Sequence, residues 1–141
     1  GGVLAGLPHA QCLALRRYGM ELGSAFQIAD DLLDYVSDSA TLGKNIGDDL
    51  AEGKPTLPLI YAIERSTPMQ AELLRNAITS QRLAALDVII AAIRGTGALE
   101  RTRAKAEAHA DAAHAALEGL PPSEYRDALA GLADYAVNRT S

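Results

Sequence analysis

Tryptophan is absent from this 141-residue chain, and one phenylalanine and five tyrosines supply all its aromatic rings. So little aromatic surface, beside abundant alanine, makes a poor β-sandwich and suits closely packed helices. Cysteine is nearly absent too: the single Cys12 excludes an internal disulfide framework and any cysteine-built zinc site. Positive charge is in deficit, with 13 Lys+Arg against 18 Asp+Glu, a net charge of −5 and a pI near 5.1. Without a basic stripe to neutralise a phosphate backbone, nucleic acid is not expected as a main partner. No apolar run approaches a membrane span, so no stable membrane insertion is expected, and the N-terminus shows no charged leader with a cleavage site. What is present suffices for a core: 48% of residues are hydrophobic and 22% charged, which argues against wholesale disorder. The expectation is an all-α, cytoplasmic protein of one domain.

Prolines and glycines divide the chain. Pro8 suits a first helical turn, and no strong breaker follows until after Ser37, which predicts one long helix from Pro8 to about Ser37. Asp38 to Lys54 carries Gly43, Gly47 and Gly53 without a steady period and reads as a loop, with at most a short turn of helix near Asp48 to Ala51. Long loops of this kind are usually functional or disordered. A helix then starts after Pro55, with Pro58 tolerable only in its first turn. Thr67-Pro68 opens a short helix over Met69 to about Thr79, and Arg82 to Arg94 follows with Leu83, Leu86, Ile89, Ile90 and Ile93 at helical spacing. After Gly95-Thr96-Gly97, the alanine-rich stretch Ala98 to Leu117 is a strong helix former, closed by Gly119 and Pro121-Pro122. Ser123 caps a final helix whose expected buried stripe is Leu129, Leu132, Tyr135, Ala136 and Val137.

The chemistry concentrates near the end of the first helix, in Phe26-Gln27-Ile28-Ala29-Asp30-Asp31-Leu32-Leu33-Asp34. With Asp30 placed at the origin of a helical wheel, Asp34 falls at about 40°, Gln27 at about 60° and Asp31 at about 100°. Gly23 and Gly19 lie one and two turns back along the same line, while Leu22, Ala25, Ile28, Ala29, Leu32, Leu33 and Val36 take the opposite arc. Like charges this close repel by about 1 kcal/mol in water and by several when partly desolvated. A hard divalent cation removes that penalty, and short aspartates suit Mg²⁺, which favours one or two carboxylates plus phosphate oxygens. An arbitrary Asp-Asp-x-x-Asp is more often a solvated acidic face. Here, however, Lys44 follows Gly43 and Lys54 follows Gly53, two point charges suited to an anion that also binds a metal.

Gly23-Ser24-Ala25-Phe26-Gln27-Ile28-Ala29-Asp30-Asp31-Leu32-Leu33-Asp34-Tyr35 resembles the second aspartate-rich region of the trans-polyprenyl diphosphate synthases. Leu42-Gly43-Lys44-Asn45-Ile46-Gly47-Asp48-Asp49-Leu50 and Glu52-Gly53-Lys54-Pro55-Thr56-Leu57-Pro58 continue the likeness. It is nearest to the long-chain bacterial octaprenyl diphosphate synthases, which make quinone side chains, and weakens in the alanine-rich helices. The resemblance implies the C-terminal part of the all-α isoprenoid synthase bundle. It also implies a Mg²⁺-dependent prenyltransferase that condenses isopentenyl diphosphate with an allylic diphosphate. Asp30 would ligate Mg²⁺ directly, with Asp31 and Asp34 acting largely through metal-bound water. Lys44 and Lys54 would hold the allylic diphosphate, Gln27 would sit beside the reacting centre and Phe26 would help wall the pocket. A homodimer is likewise implied.

The family's first aspartate-rich motif is missing, as are its isopentenyl diphosphate ligands. Residues 1–141 are therefore expected to be the C-terminal part of a single domain, with Gly1-Gly2-Val3-Leu4 a cut inside a larger bundle, and to be inactive alone. The alternative is a non-catalytic helical small subunit or regulatory partner of a prenyl synthase; a terpene cyclase fits the Gly-Lys loop less well. Remaining candidates are expected to be structural. His9 should face solvent, His109 and His114 should lie on an exposed surface with Glu107 and Asp111, and Cys12 should be a small core residue. Asp48 and Asp49 should cap a short helix, Tyr35 and Tyr61 should pack beside the site, and Ser37 and Ser66 have no nucleophilic role.

Overall fold

The computed structural model describes residues 1–36, 55–80 and 86–139, and its regular elements among them are all helices. They are α1 (His9–Val36), α2 (Leu57–Arg65), α3 (Pro68–Ser80), α4 (Leu86–Gly95), α5 (Ala98–Leu117) and α6 (Glu124–Asn138). The predicted boundaries at Pro8, Thr67-Pro68 and Ala98 hold to within a residue; Ser37 and Arg82 to Ala85 lie outside the described residues. Pro58 occupies the first turn of α2, where no N–H is needed. Gly97 adopts φ +69°, a conformation L side chains rarely accept, and separates α4 from α5. Ser123 caps α6 by accepting the Arg126 backbone N–H at 3.1 Å. No helix among the described residues is long and apolar enough to cross a membrane.

The chain gathers into two compact units, Gly1–Ala29 with Ala104–Ser141, and Asp30–Arg103. In the second, α2, α3 and α4 pack on one another around Leu59, Leu74, Ile89 and Ile93, with Tyr35 in the same cluster. Burying such a side chain contributes about 1.5–3 kcal/mol. The Tyr35 hydroxyl is hydrogen-bonded to the Thr56 side chain, joining the last turn of α1 to the start of α2. Thr56 is therefore the N-cap of α2 by position only, since its hydroxyl serves Tyr35. Arg101 stacks on the Tyr61 ring at 3.9 Å and pairs with Glu64 at 2.8 Å.

The first unit is built on alanine: Tyr18, Ala113, Ala116, Leu117 and Ala133 form its core. The Tyr18 hydroxyl donates to the Leu129 carbonyl at 2.7 Å, and burial raises the Tyr18 phenol above its ordinary 10.0. Here the expected stripe of α6 needs correction. Leu132 is 51% and Tyr135 63% exposed, whereas Ala133 and Ala136 are buried. Leu129 and Val137 share the alanine face, and Leu132 lies about 100° away from it. Small side chains let backbones approach closely, so the buried side of α6 is its smallest, not its greasiest.

The histidines are also corrected. His109 Nδ1 lies 2.6 Å from Glu21 Oε2 on α1, and His114 Nε2 lies 2.8 Å from Asp134 Oδ1 on α6. Five residues apart, they point about 140° from each other and tie α5 to two different helices. His9 is exposed as expected. Cys12 is half-buried, not in the core, and its thiol donates to the Leu7 carbonyl at 3.6 Å.

Candidate functional site

The site residues of α1 follow from where the helix hides its apolar side. Ala25, Ala29 and Leu32 are fully buried and Tyr35 nearly so, which fixes the rotation of the helix. Val36, expected on that side, is 45% exposed at the helix end. The rotation turns Gln27 outward into solvent and leaves Asp30, Asp31 and Asp34 half-buried on the opposite arc. Each of these four makes an interaction with its surroundings. Among the described residues no three His, Cys, Asp or Glu side chains close into a metal cage. The carboxylates share a face without converging on a point.

Below them the helix is bare. A Cβ built on Gly19 or on Gly23 would meet nothing within 4 Å, so neither glycine is required by a close neighbour. Helix interiors disfavour glycine by about 1 kcal/mol relative to alanine. Two such residues on the line of the carboxylates leave open space beside the backbone.

Phe26 stands next to Gln27 and is 43% exposed. The Arg139 guanidinium lies over its ring, Cζ 3.8 Å from the centroid, while Nη2 donates to the Phe26 carbonyl at 3.0 Å. Arg139 follows the last residue of α6 and was not a candidate from sequence. No local signal could have found it, because 113 residues separate it from Phe26. Lys44, Lys54, Asp48 and Asp49 lie outside the described residues. Tyr35 is buried with its hydroxyl on Thr56, and Tyr61 is stacked under Arg101. Ser66 donates its hydroxyl to the Ala62 carbonyl at 2.7 Å and is occupied by its own helix.

The model of the polyprenyl synthetase family matches residues 1–94. Over 141 residues the chain is 50% identical to octaprenyl diphosphate synthase of Escherichia coli, covering 98% of this chain and 43% of that one. It is 47% identical over 137 residues to the all-trans-nonaprenyl-diphosphate synthase (geranyl-diphosphate specific) of Rhodobacter capsulatus, covering 97% and 42%. Among solved structures, it resembles the Caulobacter crescentus polyprenyl synthase complexed with calcium and isoprenyl diphosphate. That match has a TM-score of 0.83 and 48% identity over 99% of this chain and 43% of the other. A decaprenyl diphosphate synthase from Rhodobacter capsulatus gives a TM-score of 0.88 and 40% identity over 99% and 44%. The chain thus spans somewhat under half the length of these relatives.

Proposed function

This chain belongs to the polyprenyl synthetase family, and on that premise we propose that it forms one wall of a prenyltransferase active site. The reaction is the condensation of isopentenyl diphosphate with an allylic diphosphate, repeated to give a long-chain all-trans polyprenyl diphosphate for quinone side chains. The observation that carries this reading is the α1 face, where Asp30, Asp31 and Asp34 stand half-buried opposite Ala25, Ala29 and Leu32. Three carboxylates on so short an arc are a hard-oxygen donor set that fits Mg²⁺. Asp30, Asp31 and Asp34 would hold the ion. Bound there, Mg²⁺ supplies neutralising charge to the departing diphosphate.

The chain's own residues do the rest. Lys44 and Lys54 bind the allylic diphosphate as point charges, stabilising the charge that develops on it. Gln27 lies one turn before Asp30 on the same arc and orients the reacting end of the allylic substrate. Phe26 closes the side of that space, and the open backbone at Gly19 and Gly23 gives the hydrocarbon room. The active enzyme is a cytoplasmic homodimer. The facing wall, with a second set of aspartates, is not in this chain, so the chain alone does not transfer prenyl groups.

Calorimetry with Mg²⁺ and inorganic pyrophosphate tests the proposal. Binding is expected only with Mg²⁺ present, and Asp30→Asn should weaken it at least about tenfold, the scale of losing a charged ligand contact. A wild-type chain that ignores pyrophosphate at all Mg²⁺ concentrations refutes diphosphate binding by this wall alone. Elongation of an allylic primer by the chain alone refutes the need for a facing wall.

A further inference from the structure

We propose that Arg139 is a positioning residue for the α1 turn that carries Phe26 and Gln27; this rests on reading α1 as the diphosphate wall. Its guanidinium is held on three sides. Nε donates to the Ala136 carbonyl at 3.2 Å, Nη2 donates to the Phe26 carbonyl at 3.0 Å, and the plane covers the Phe26 ring at 3.8 Å. One edge of the fork therefore belongs to α6 and the other to α1. The Phe26 carbonyl is also the acceptor that helical geometry assigns to the Asp30 N–H. Arg139 thus bonds to the same oxygen as the amide of the first aspartate.

Phe26 is 43% exposed, so the ring is not enclosed by its surroundings. The stacked cation restricts the ring, and the hydrogen bond restrains the turn beneath it. Gln27 is the next residue and projects from that turn. An ammonium group cannot replace this arrangement, because it has neither the planar face for the ring nor a second donor edge for Ala136. The position also favours a cation in its own right, since the carbonyl end of α6 carries partial negative charge. That second effect would be served equally by lysine, which separates simple helix capping from positioning.

Phe26 is the only phenylalanine in the chain, so para-fluorophenylalanine incorporation gives a single fluorine NMR resonance at this ring. The experiment compares the 141-residue wild type with Arg139→Ala and Arg139→Lys, first without ligand and then titrated with Mg²⁺ and inorganic pyrophosphate. Circular dichroism checks that each variant is folded. Without ligand, both variants should shift the resonance. With ligand, the pyrophosphate midpoint should weaken about tenfold in Arg139→Ala, given a lost charged hydrogen bond and a lost cation–π contact. Arg139→Lys should recover little of it, and methylguanidinium added to Arg139→Ala should recover part. An unchanged ligand-free resonance in Arg139→Ala overturns the stack. A wild-type midpoint retained by Arg139→Ala, or full rescue by lysine, overturns positioning. If the wild type itself binds no pyrophosphate, diphosphate binding by this wall alone fails instead, and the ligand-free spectra still decide whether the stack exists.

Discussion

Leu132 and Ala133 are neighbours on α6 with opposite fates, and exchanging their sizes tests how the first unit is held together. Leu132 keeps 51% of its surface in water. About half of the ~2 kcal/mol that burial of its extra carbons could contribute is therefore realised. Lost rotamer freedom opposes that gain by about 0.5–1 kcal/mol. Truncation at the surface leaves no cavity, so Leu132→Ala should change stability by no more than about 0.5 kcal/mol. Ala133 is fully buried in the cluster with Tyr18, Ala113, Ala116 and Leu117. Ala133→Leu forces three more carbons between helices and should cost about 1–3 kcal/mol. Urea unfolding followed by far-ultraviolet circular dichroism measures both midpoints under one set of conditions. A loss of about 2 kcal/mol or more for Leu132→Ala, the range of a buried leucine, together with tolerance of Ala133→Leu, would falsify the alanine interface.

Further outcomes can be checked on the same chain. Tyr18→Phe removes the hydrogen bond to Leu129 and should cost about 0.5–1.5 kcal/mol at neutral pH in a urea titration. Because the folded phenol is raised above 10.0, its contribution is fully present below that pH and is lost as pH climbs through the folded value. The stability gap between wild type and Tyr18→Phe should therefore narrow above pH 10.0; a gap that widens there contradicts the burial of the phenol. Gly23→Ala meets nothing within 4 Å and should raise the unfolding midpoint by the equivalent of about 0.5–1 kcal/mol; a destabilised variant would reveal a neighbour at that backbone. Leu32→Ala, at a fully buried position beside the aspartates, should cost about 2–5 kcal/mol, and a change under about 1 kcal/mol would mean that this turn of α1 is not packed.

The helices were legible because their limits are local chemistry. Pro8, Pro58, Pro68, Gly97 and Ser123 each act within one turn, and the structure uses them as expected. The carboxylate arc was legible for the same reason, since residues on one helix keep their relative angles whatever surrounds them. Partners far along the chain were not. Glu21 and His109 are 88 residues apart, and Tyr18 and Leu129 are 111 apart. Nothing in either local pattern names the other. The error over Leu132 and Tyr135 has a related cause: ranking positions by side-chain hydrophobicity assumes that the partner helix offers a wide groove. Here the partner presents Ala113 and Ala116, and only small residues match it. Aspartate spacing likewise indicated a metal-binding face but could not show that the three carboxylates stop short of a cage.

The alanine interface has a further consequence. An alanine side chain has no rotamers, so a contact made of alanines cannot relax by swinging a side chain into or out of a gap. The distance between such helices is then set by backbone against backbone, with little slack to absorb strain. Ala25 and Ala29, both fully buried on α1 just before Asp30, likewise have no rotamers with which to adjust. Any adjustment in that length of α1 is therefore left to the main chain itself.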